Sequence, residues 1–207
     1  MTSKVAPEFA RPGYDRKMSG EEINGHLVRK YEGPIRLVRT PAELELACKE
    51  LEGQTVLGFD TETKPAFIKG QSFPPTVLQL AGEEFVYIIQ LKRLGLPERL
   101  RALLANSAII KAGVSLDYDV VELRKLKEFA AAGFVDLGLA AKRSGLKNHG
   151  LRGLAAVLLG FRISKGAQRS NWGQDELTSF QLDYAATDAW VGRELYFRMR
   201  EEGLLAP

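Results

Sequence analysis

Residues 55–62, with the sequence TVLGFDTE, are the segment that most clearly indicates the fold of the chain. Their first five residues form a mostly apolar run of strand length, and two carboxylates, Asp60 and Glu62, follow it directly. Side chains at positions i and i+2 of a strand point to the same face. Both carboxylates are therefore expected to project into one place at the end of a buried strand.

Strand-length segments lie on both sides of this stretch. Ile35–Arg39 precedes it, and Thr76–Ala81 and Phe85–Gln90 follow it as a predicted hairpin with a tight connection. Shorter strands are then expected at Ala108–Lys111 and at Phe134-Val135. Helices are predicted over residues 41–52, from Pro97 onward, and over 117–127, 137–144, 151–159 and 179–201. Three antiparallel strands followed by strand–helix alternation predict an α/β fold with a mixed sheet.

The N-terminal region is predicted to be distinct. Residues 1–18 suggest a loose arm, and Ser19-Gly-Glu-Glu22 has the spacing of a capping box. A short helix is expected to run from there through Glu32, where Gly33-Pro34 would stop it. The expected organisation is an N-terminal arm with a short helix over 1–33 and one domain over 34–204.

Composition excludes several classes of protein. The chain has 207 residues, 45% of them hydrophobic and 27% charged, which is ordinary for a globular protein. Its single cysteine, Cys48, excludes an internal disulfide framework and a cysteine-based zinc site. The longest apolar run, around Leu154–Phe161, is far shorter than the ~20 residues of a membrane span. No secretory signal is evident, so a cytoplasmic protein without a membrane partner is expected.

The basic residues are unevenly distributed. The formal net charge is only +3, but residues 137–174 contain no acidic side chain. Seven cations fall in that stretch: Lys142, Arg143, Lys147, Arg152, Arg162, Lys165 and Arg169. Such a segment is a candidate surface for a polyanion, and equally a solvated face balanced by acids elsewhere in the fold.

Further carboxylates are expected near Asp60 and Glu62. Tyr184 and Asp188 are four residues apart on the last predicted helix and so share a face, and Asp119 lies near the start of another helix. Each signal alone is more often a solvated strand end or helix surface. If the four carboxylates converge, they must take up protons or bind cations. A set of oxygen ligands suits Mg²⁺ or Mn²⁺ better than Zn²⁺.

Together these motifs resemble a known family. Asp60-Thr-Glu62-Thr63, the segment Gly113–Asp119 and Tyr184-Ala-Ala-Thr-Asp188 are similar to the three motifs of the exonuclease family with the DEDD carboxylate set, in its tyrosine variety. Asp117 is a second candidate for the acid of the middle motif, although the spacing from Gly113 favours Asp119. The resemblance covers about residues 35–200.

Shorter segments narrow the resemblance. Lys111-Ala-Gly-Val114, Leu158-Leu-Gly160 and Ser170-Asn-Trp172 are similar to the Werner-syndrome-type exonuclease domain and its ribonuclease-D-like relatives. The resemblance implies a ribonuclease-H-like fold, with a mixed five- or six-stranded sheet flanked by helices. It also implies metal-dependent removal of nucleoside monophosphates from the 3′ end of a nucleic acid.

The resemblance also implies roles for individual residues. Two divalent ions, Mg²⁺ or Mn²⁺, would be held by the carboxylates. Asp60 would bridge both ions, Glu62 and Asp188 would complete one site, and Asp119 would serve the other, mostly through water. Tyr184 would orient the attacking water, since an ordinary tyrosine pKa of about 10 makes it a poor base at neutral pH.

Substrate contacts are expected from residues around these motifs. Thr61, Thr63 and Phe67 could hold the terminal nucleotide, or could simply line the strand exit. Trp172 could stack on a base or be a buried residue that fixes a loop. Lys165 and Arg169 could bind phosphates or be solvated. The expected partner is a nucleic-acid strand or 3′ end; DNA or RNA, and the oligomeric state, are left open.

Two other functions compete with an active exonuclease. One is a catalytically silent nucleic-acid-binding module on the same fold, which would be expected to lack at least one carboxylate ligand. The other is a ribonuclease-H-like endonuclease, which would use clustered carboxylates but would not need Tyr184.

Overall fold

The computed structural model of the protein describes residues 11–66, 68 and 71–205, in which six strands form one sheet. The strands are β1 (Ile35–Val38), β2 (Val56–Thr63), β3 (Pro75–Ala81), β4 (Val86–Ile89), β5 (Ile110–Gly113) and β6 (Phe134–Asp136). Their order across the sheet is β1-β4-β3-β2-β5-β6. Strand β3 is antiparallel to both β2 and β4, whereas β1, β5 and β6 join by parallel pairing. The predicted mixed sheet with three antiparallel strands is confirmed.

Helices cover both faces of the sheet. They are α1 (Gly20–Asn24), α2 (Pro41–Leu51), α3 (Leu91–Leu94), α4 (Glu98–Ala105), α5 (Leu116–Leu126), α6 (Leu137–Arg143), α7 (Leu151–Leu154) and α8 (Ser179–Glu201). Apolar side chains of α2, α4 and α5 pack on one face of the sheet. Those of α6, α7 and α8 pack on the other. None of the helices in the described residues is long and apolar enough to span a membrane.

The first turns of α2 and α8 follow from their sequences. Thr40 and Glu43 form a reciprocal capping box at the start of α2, and Thr178 and Gln181 form another at the start of α8. In each, two backbone N–H groups that the helix leaves unpaired receive a side-chain acceptor. These caps fix where the two helices begin, as the sequence predicts.

Helix α8 crosses the sheet directly over β2. Gly58 permits this close approach, because a Cβ atom at that position would overlap the carbonyl oxygen of Ala189. Ala185, Ala186 and Ala189 present small side chains to the sheet along the same helix. The contact places Asp188 next to the carboxylates of β2.

The N-terminal segment differs from the prediction. Helix α1 ends at Asn24 instead of Glu32, because the chain then extends alongside Arg162. The backbone N–H of Arg29 donates to the Arg162 carbonyl, and the N–H of Arg162 donates to the Leu27 carbonyl, both at 2.9 Å. A chain engaged in these bonds cannot also form helical ones.

The prediction of a loose arm is wrong for the described part of it, residues 11–18. Met18 is buried, its N–H donates to Asn148 Oδ1 at 2.8 Å, and Asn148 Nδ2 donates back to its carbonyl at 3.2 Å. A side-chain amide that holds both backbone groups of one residue fixes that residue firmly. The segment is part of the packed domain.

Two further differences concern short helices. The predicted helix over 151–159 is α7 followed by a π-helical turn over Ala155–Leu159, which ends where Gly160 adopts a positive φ of 74°. The short helix α3 after β4 was not predicted from the sequence. Its four residues are too few to show a helical period.

Candidate active site

The end of β2 brings two carboxylates towards α8. Asp60 and Glu62 alternate with Phe59 and Thr61 and so share one face of β2, as predicted, and α8 covers that face. Asp188 enters from α8 and is 6% exposed. One carboxylate oxygen from each of Asp60, Glu62 and Asp188 lies within 4.8 Å of the others. Three of the four predicted carboxylates therefore meet in one small space.

Burial and repulsion change the acidity of this group. Loss of hydration raises the pKa of Asp60 well above its usual value, and the charges of Asp188 and Asp119 raise it further. The pKa of Glu62 and that of Asp188 are raised too, mainly by burial. Without a cation, the group must hold protons at neutral pH because its negative charges are close together and poorly hydrated.

The group fits a divalent cation. Every ligand atom is a carboxylate oxygen, which is the donor that Mg²⁺ and Mn²⁺ prefer. Asp188 Oδ1 is buried and has no hydrogen-bond partner among the described residues. An orphaned buried carboxylate oxygen is costly, and a cation would satisfy it.

Asp119 approaches the group from the other face of the sheet. It lies in the first turn of α5 and accepts a hydrogen bond from the hydroxyl of Thr61. Its oxygens are not part of the close group of three, but its charge raises the pKa of Asp60 and of Glu62. Burial raises the pKa of Asp119 itself to about 6. Asp119 thus flanks the three clustered carboxylates.

The start of α5 is held in an unusual conformation. Ser115 precedes the helix and lines the cleft that opens at the carboxylates. It has a positive φ of 65° and is the only non-glycine residue with a positive φ in the described part of the chain. Asp136 accepts hydrogen bonds from the N–H of Leu116 at 2.9 Å and of Leu139 at 3.0 Å. Asp136 is thus the N-cap of α6 and also accepts the first unpaired N–H of α5.

Tyr184 lies beside Asp188, one turn earlier on α8. Burial raises the pKa of the Tyr184 hydroxyl far above its ordinary value, and the charges of Asp188 and Glu62 raise it further. Burial therefore favours the protonated phenol, which is suited to act as a hydrogen-bonding group. The Trp172 ring lies 6.1 Å from the Tyr184 ring, centroid to centroid, and supports its position.

A cleft of about 610 Å³ opens at these residues, and we call it the first cleft. Asp60, Glu62, Tyr184 and Asp188 line it on one side. Four cations also line it: Lys17, Lys147, Arg152 and Lys165. Three of them come from the acid-free stretch 137–174, which therefore divides between the cleft and other surfaces.

The predicted substrate-contact residues differ in whether they line the first cleft. Lys165 is exposed and lines the first cleft, whereas Arg169 is exposed but lies outside the cleft lining. Thr63 is half-buried at the end of β2, also outside that lining. Thr61 also lines the first cleft, although it is only 8% exposed, and its hydroxyl donates a hydrogen bond to Asp119. Phe67 lies outside the described residues.

The prediction that Trp172 stacks on a base is corrected. Trp172 is 1% exposed, which leaves no ring surface for a base. Its carbonyl accepts a hydrogen bond from Thr76 Oγ1 at 3.0 Å, which ties the loop to β3. The alternative interpretation, a buried residue that fixes the loop before α8, describes it.

Several cleft residues were missed by the sequence reasoning. Lys17 and Ile23 reach the first cleft from the N-terminal segment, and Asn148, within the acid-free stretch, lines the cleft and binds the backbone of Met18. The contacts that place them join residues about 130 positions apart, and no local pattern signals such a pairing. His149 also lines the cleft, and its Nε2 donates a hydrogen bond to the Leu146 carbonyl at 2.7 Å.

Comparison with known proteins agrees with the three motifs. The 3′-5′ exonuclease family matches residues 35–203. DNA polymerase I of Aquifex aeolicus is 35% identical over 158 residues, covering 76% of this chain and 26% of that protein. Exonuclease 3′-5′ domain-containing protein 2 of Mus musculus is 32% identical over 163 residues, covering 73% and 25%. The chain thus spans about a quarter of the length of these relatives.

A solved structure shares the fold. The exonuclease domain of Nibbler from Aedes aegypti superposes with a TM-score of 0.75 at 24% identity, covering 86% of this chain and 92% of that one. At that identity the likeness speaks for the fold, which is ribonuclease-H-like as the resemblance implied. With the match to residues 35–203, which include all five motif residues, it follows that the chain belongs to the 3′-5′ exonuclease family.

Proposed function

We propose that this protein removes nucleoside monophosphates one at a time from the 3′ end of a nucleic-acid strand, using two divalent ions, Mg²⁺ or Mn²⁺. The observation that carries the proposal is the close group of Asp60, Glu62 and Asp188, with ligand atoms within 4.8 Å. Their raised pKa values and the orphaned Asp188 oxygen leave the group in need of positive charge.

The carboxylates would hold the ions, with Asp119 alongside. Divalent cations bound there would make a water more acidic and would offset the charge that develops on the phosphate. The protein holds Asp188 buried and the other three carboxylates half-buried, and orients them before any substrate arrives. Thr61 holds Asp119, and Gly58 lets α8 bring Asp188 to the sheet.

Tyr184 would act on the attacking water. Because its hydroxyl remains protonated, it cannot remove a proton, but it can hold a water in line with the scissile phosphate by a hydrogen bond. The Trp172 ring packs against the Tyr184 ring and helps to fix where that hydroxyl lies. The role assigned to Tyr184 is thus positioning.

The cations of the first cleft would bind the strand. Lys17, Lys147, Arg152 and Lys165 surround a space that ends at the carboxylates. Phosphate contacts of this kind supply affinity without reading sequence. The expected substrate is a single strand or a 3′ end, and matched DNA and RNA strands distinguish which sugar the protein prefers.

One gel tests the proposal. Purified protein is mixed with 5′-labelled DNA and RNA strands of matched sequence, in Mg²⁺, in Mn²⁺ and in excess EDTA. A ladder that shortens by single nucleotides with metal, and no cleavage in EDTA, is the expected result, and the faster strand identifies the sugar. Full turnover in EDTA would contradict the metal mechanism. Binding without cleavage in both metals would favour the silent module.

A further inference from the structure

A second cleft adjoins the active site. It has a volume of about 490 Å³, within the range of small-molecule pockets, and it shares Ser164, Tyr184 and Asp188 with the first cleft. One wall is formed by α8 and the other by the N-terminal segment. The α8 wall contains Phe180, Asp183 and Thr187, and the N-terminal wall contains Val28, Arg29, Lys30 and Glu32.

The N-terminal wall is held in place. The N–H of Tyr31, a buried residue, donates to Thr187 Oγ1 of α8 at 3.0 Å. Lys30 Nζ forms an ion pair with Asp183 at 2.7 Å, which ties the two walls together. The backbone of Arg29 is fixed to Arg162. This wall precedes residue 35, where the family match begins, so it is a feature of this chain outside the matched region.

Phe180 offers a surface for a base. It is 55% exposed and, with Tyr118 and Phe197, is one of three exposed aromatic side chains among the described residues. It lies one helical turn before Tyr184 and therefore on the same side of α8. Gly166 lies against the edge of the ring so closely that a Cβ there would overlap it, so the ring packs on the loop at this point. An exposed aromatic ring is a surface on which a base can stack.

Arg29 offers a cation for a phosphate. Its guanidinium lies 5.4 Å above the Phe161 ring, which is itself stacked on Trp190. It is exposed and forms no ion pair with the described residues. Lys30 is neutralised by Asp183, so Arg29 and Glu32 are the two unpaired charges of this wall. A nucleotide would thus be held by stacking on Phe180 and by one contact of its phosphate with Arg29, and not by a net positive charge of the wall.

We propose that the second cleft binds a nucleotide, with the base on Phe180 and the phosphate on Arg29. The nucleotide is either the monophosphate just released or one unit of the strand, since both carry the same base and phosphate. The inference rests on the proposed function for the source of that nucleotide, but its chemistry stands on the cleft alone.

Binding is measured first, without turnover. Calorimetry in Mg²⁺ uses adenosine 5′-monophosphate and its 2′-deoxy counterpart with the wild-type protein, Phe180→Ala and Arg29→Ala. Each variant should weaken binding by about tenfold, the order expected for one lost stacking or phosphate contact. Adenosine, which lacks the phosphate, should lose affinity in Phe180→Ala but not in Arg29→Ala.

Matched controls separate the cleft from general effects. Phe197→Ala removes an aromatic ring that is 36% exposed on the same helix, about 25 Å further along it. Arg143→Ala removes an exposed arginine that lines neither cleft. Both should bind adenosine 5′-monophosphate within twofold of the wild type. Equal binding by all five proteins, or no binding by the wild type, would overturn the proposal.

Kinetics then identify the source of the nucleotide. If Phe180→Ala raises KM for a labelled strand, the cleft holds a unit of the strand. If KM is unchanged while inhibition by the monophosphate weakens, the cleft holds the product. A protein that binds the monophosphate through Phe180 but cleaves no strand would refute the proposed nuclease function and leave this site standing. A wild-type protein that cleaves the strand but does not bind the monophosphate would support the nuclease function and refute the nucleotide site in the second cleft.

Discussion

At the scale of single residues, the account depends on hydrogen-bonding and charged groups that the fold keeps out of water. Asp188 is the clearest case, because the helix that carries it packs flat on the sheet and still places a carboxylate inside. Such a residue is a cost to the folded protein until a cation arrives. The cost can be measured separately from catalysis.

Replacing Asp188 by asparagine should stabilise the metal-free protein. The pKa of Asp188 is raised in the folded state, so its contribution to stability is present below about pH 4 and is lost as the pH rises. At pH 8 Asp188→Asn should unfold about 2–4 °C higher than the wild type, about 1 kcal/mol for a domain of this size. Thermal melts in EDTA at pH 5 and pH 8 measure this, and the difference should shrink at pH 5.

Bound metal should make the wild type melt at a higher temperature than Asp188→Asn. Added Mg²⁺ should raise the melting temperature of the wild type at pH 8, because it binds the folded state alone, and should do little for Asp188→Asn. The variant should also lose turnover. A metal-free Asp188→Asn that melts well below the wild type at pH 8 would make this carboxylate a structural group.

Removing the Tyr184 hydroxyl should slow the chemical step alone. Tyr184→Phe keeps the ring against Trp172, so folding and strand affinity should stay within twofold of the wild type. Because one positioning contact to the attacking water is lost, kcat should fall by about 10²-fold. Single-turnover cleavage measured beside strand affinity gives both numbers. Unchanged cleavage would reduce Tyr184 to a packing residue.

At the scale of elements, the contact between β2 and α8 positions the site. Gly58→Ala should cost about 3 kcal/mol or more, since the methyl group would meet the backbone carbonyl of Ala189 and force the helix away from the sheet. Gly20→Ala, at a position with open space around it, should change the free energy of unfolding by less than about 0.5 kcal/mol. Chemical denaturation of both variants tests this. Equal stabilities would mean that the helix can shift freely.

The elements also show how far the sequence could be interpreted. The capping residues Thr40 and Thr178, the alternation of Asp60 and Glu62 and the four-residue spacing of Tyr184 and Asp188 are local signals, and each predicted its local structure correctly. The end of α1 and the burial of Trp172 depend on partners far along the chain. The side-chain amide of Asn148 and the backbone of Arg162 hold the N-terminal segment by bonding to its backbone groups, and such pairings have no local sequence signature. Local patterns therefore predicted the sheet and the shared faces of Asp60 with Glu62 and of Tyr184 with Asp188, the family resemblance implied that the carboxylates meet, and neither predicted the wall of the second cleft.

At the scale of the whole molecule, charge should guide the strand to the carboxylates. The structure separates two cations that the sequence could not distinguish: Lys165 lines the first cleft and Arg169 does not. Lys165→Glu should raise KM by about tenfold with little change in kcat, because a phosphate contact becomes a repulsion. Arg169→Glu, a change of the same charge on the same loop, should stay within about twofold. Steady-state kinetics on one strand decide between them, and equal effects would mean that only the overall charge matters.

Salt should reveal the same contacts. Strand affinity should fall log-linearly with salt concentration, with a slope near −0.7 for each phosphate neutralised on a single strand. Lys165→Glu should flatten that slope by about one contact. Filter binding or anisotropy across a salt series gives the slope, and a salt-independent affinity would remove the cleft cations from the account.

The central claim is that the carboxylate site, with divalent ions bound, removes nucleotides from a free 3′ end. It is tested most directly with a linear strand and a closed circle of the same sequence. Both are incubated with the wild-type protein and Mg²⁺ or Mn²⁺, with Asp60→Asn as the inactive control. The account predicts that the linear strand shortens by single nucleoside monophosphates from its 3′ end and that the circle stays intact. Opening of the circle, or an untouched linear strand in both metals, would contradict it.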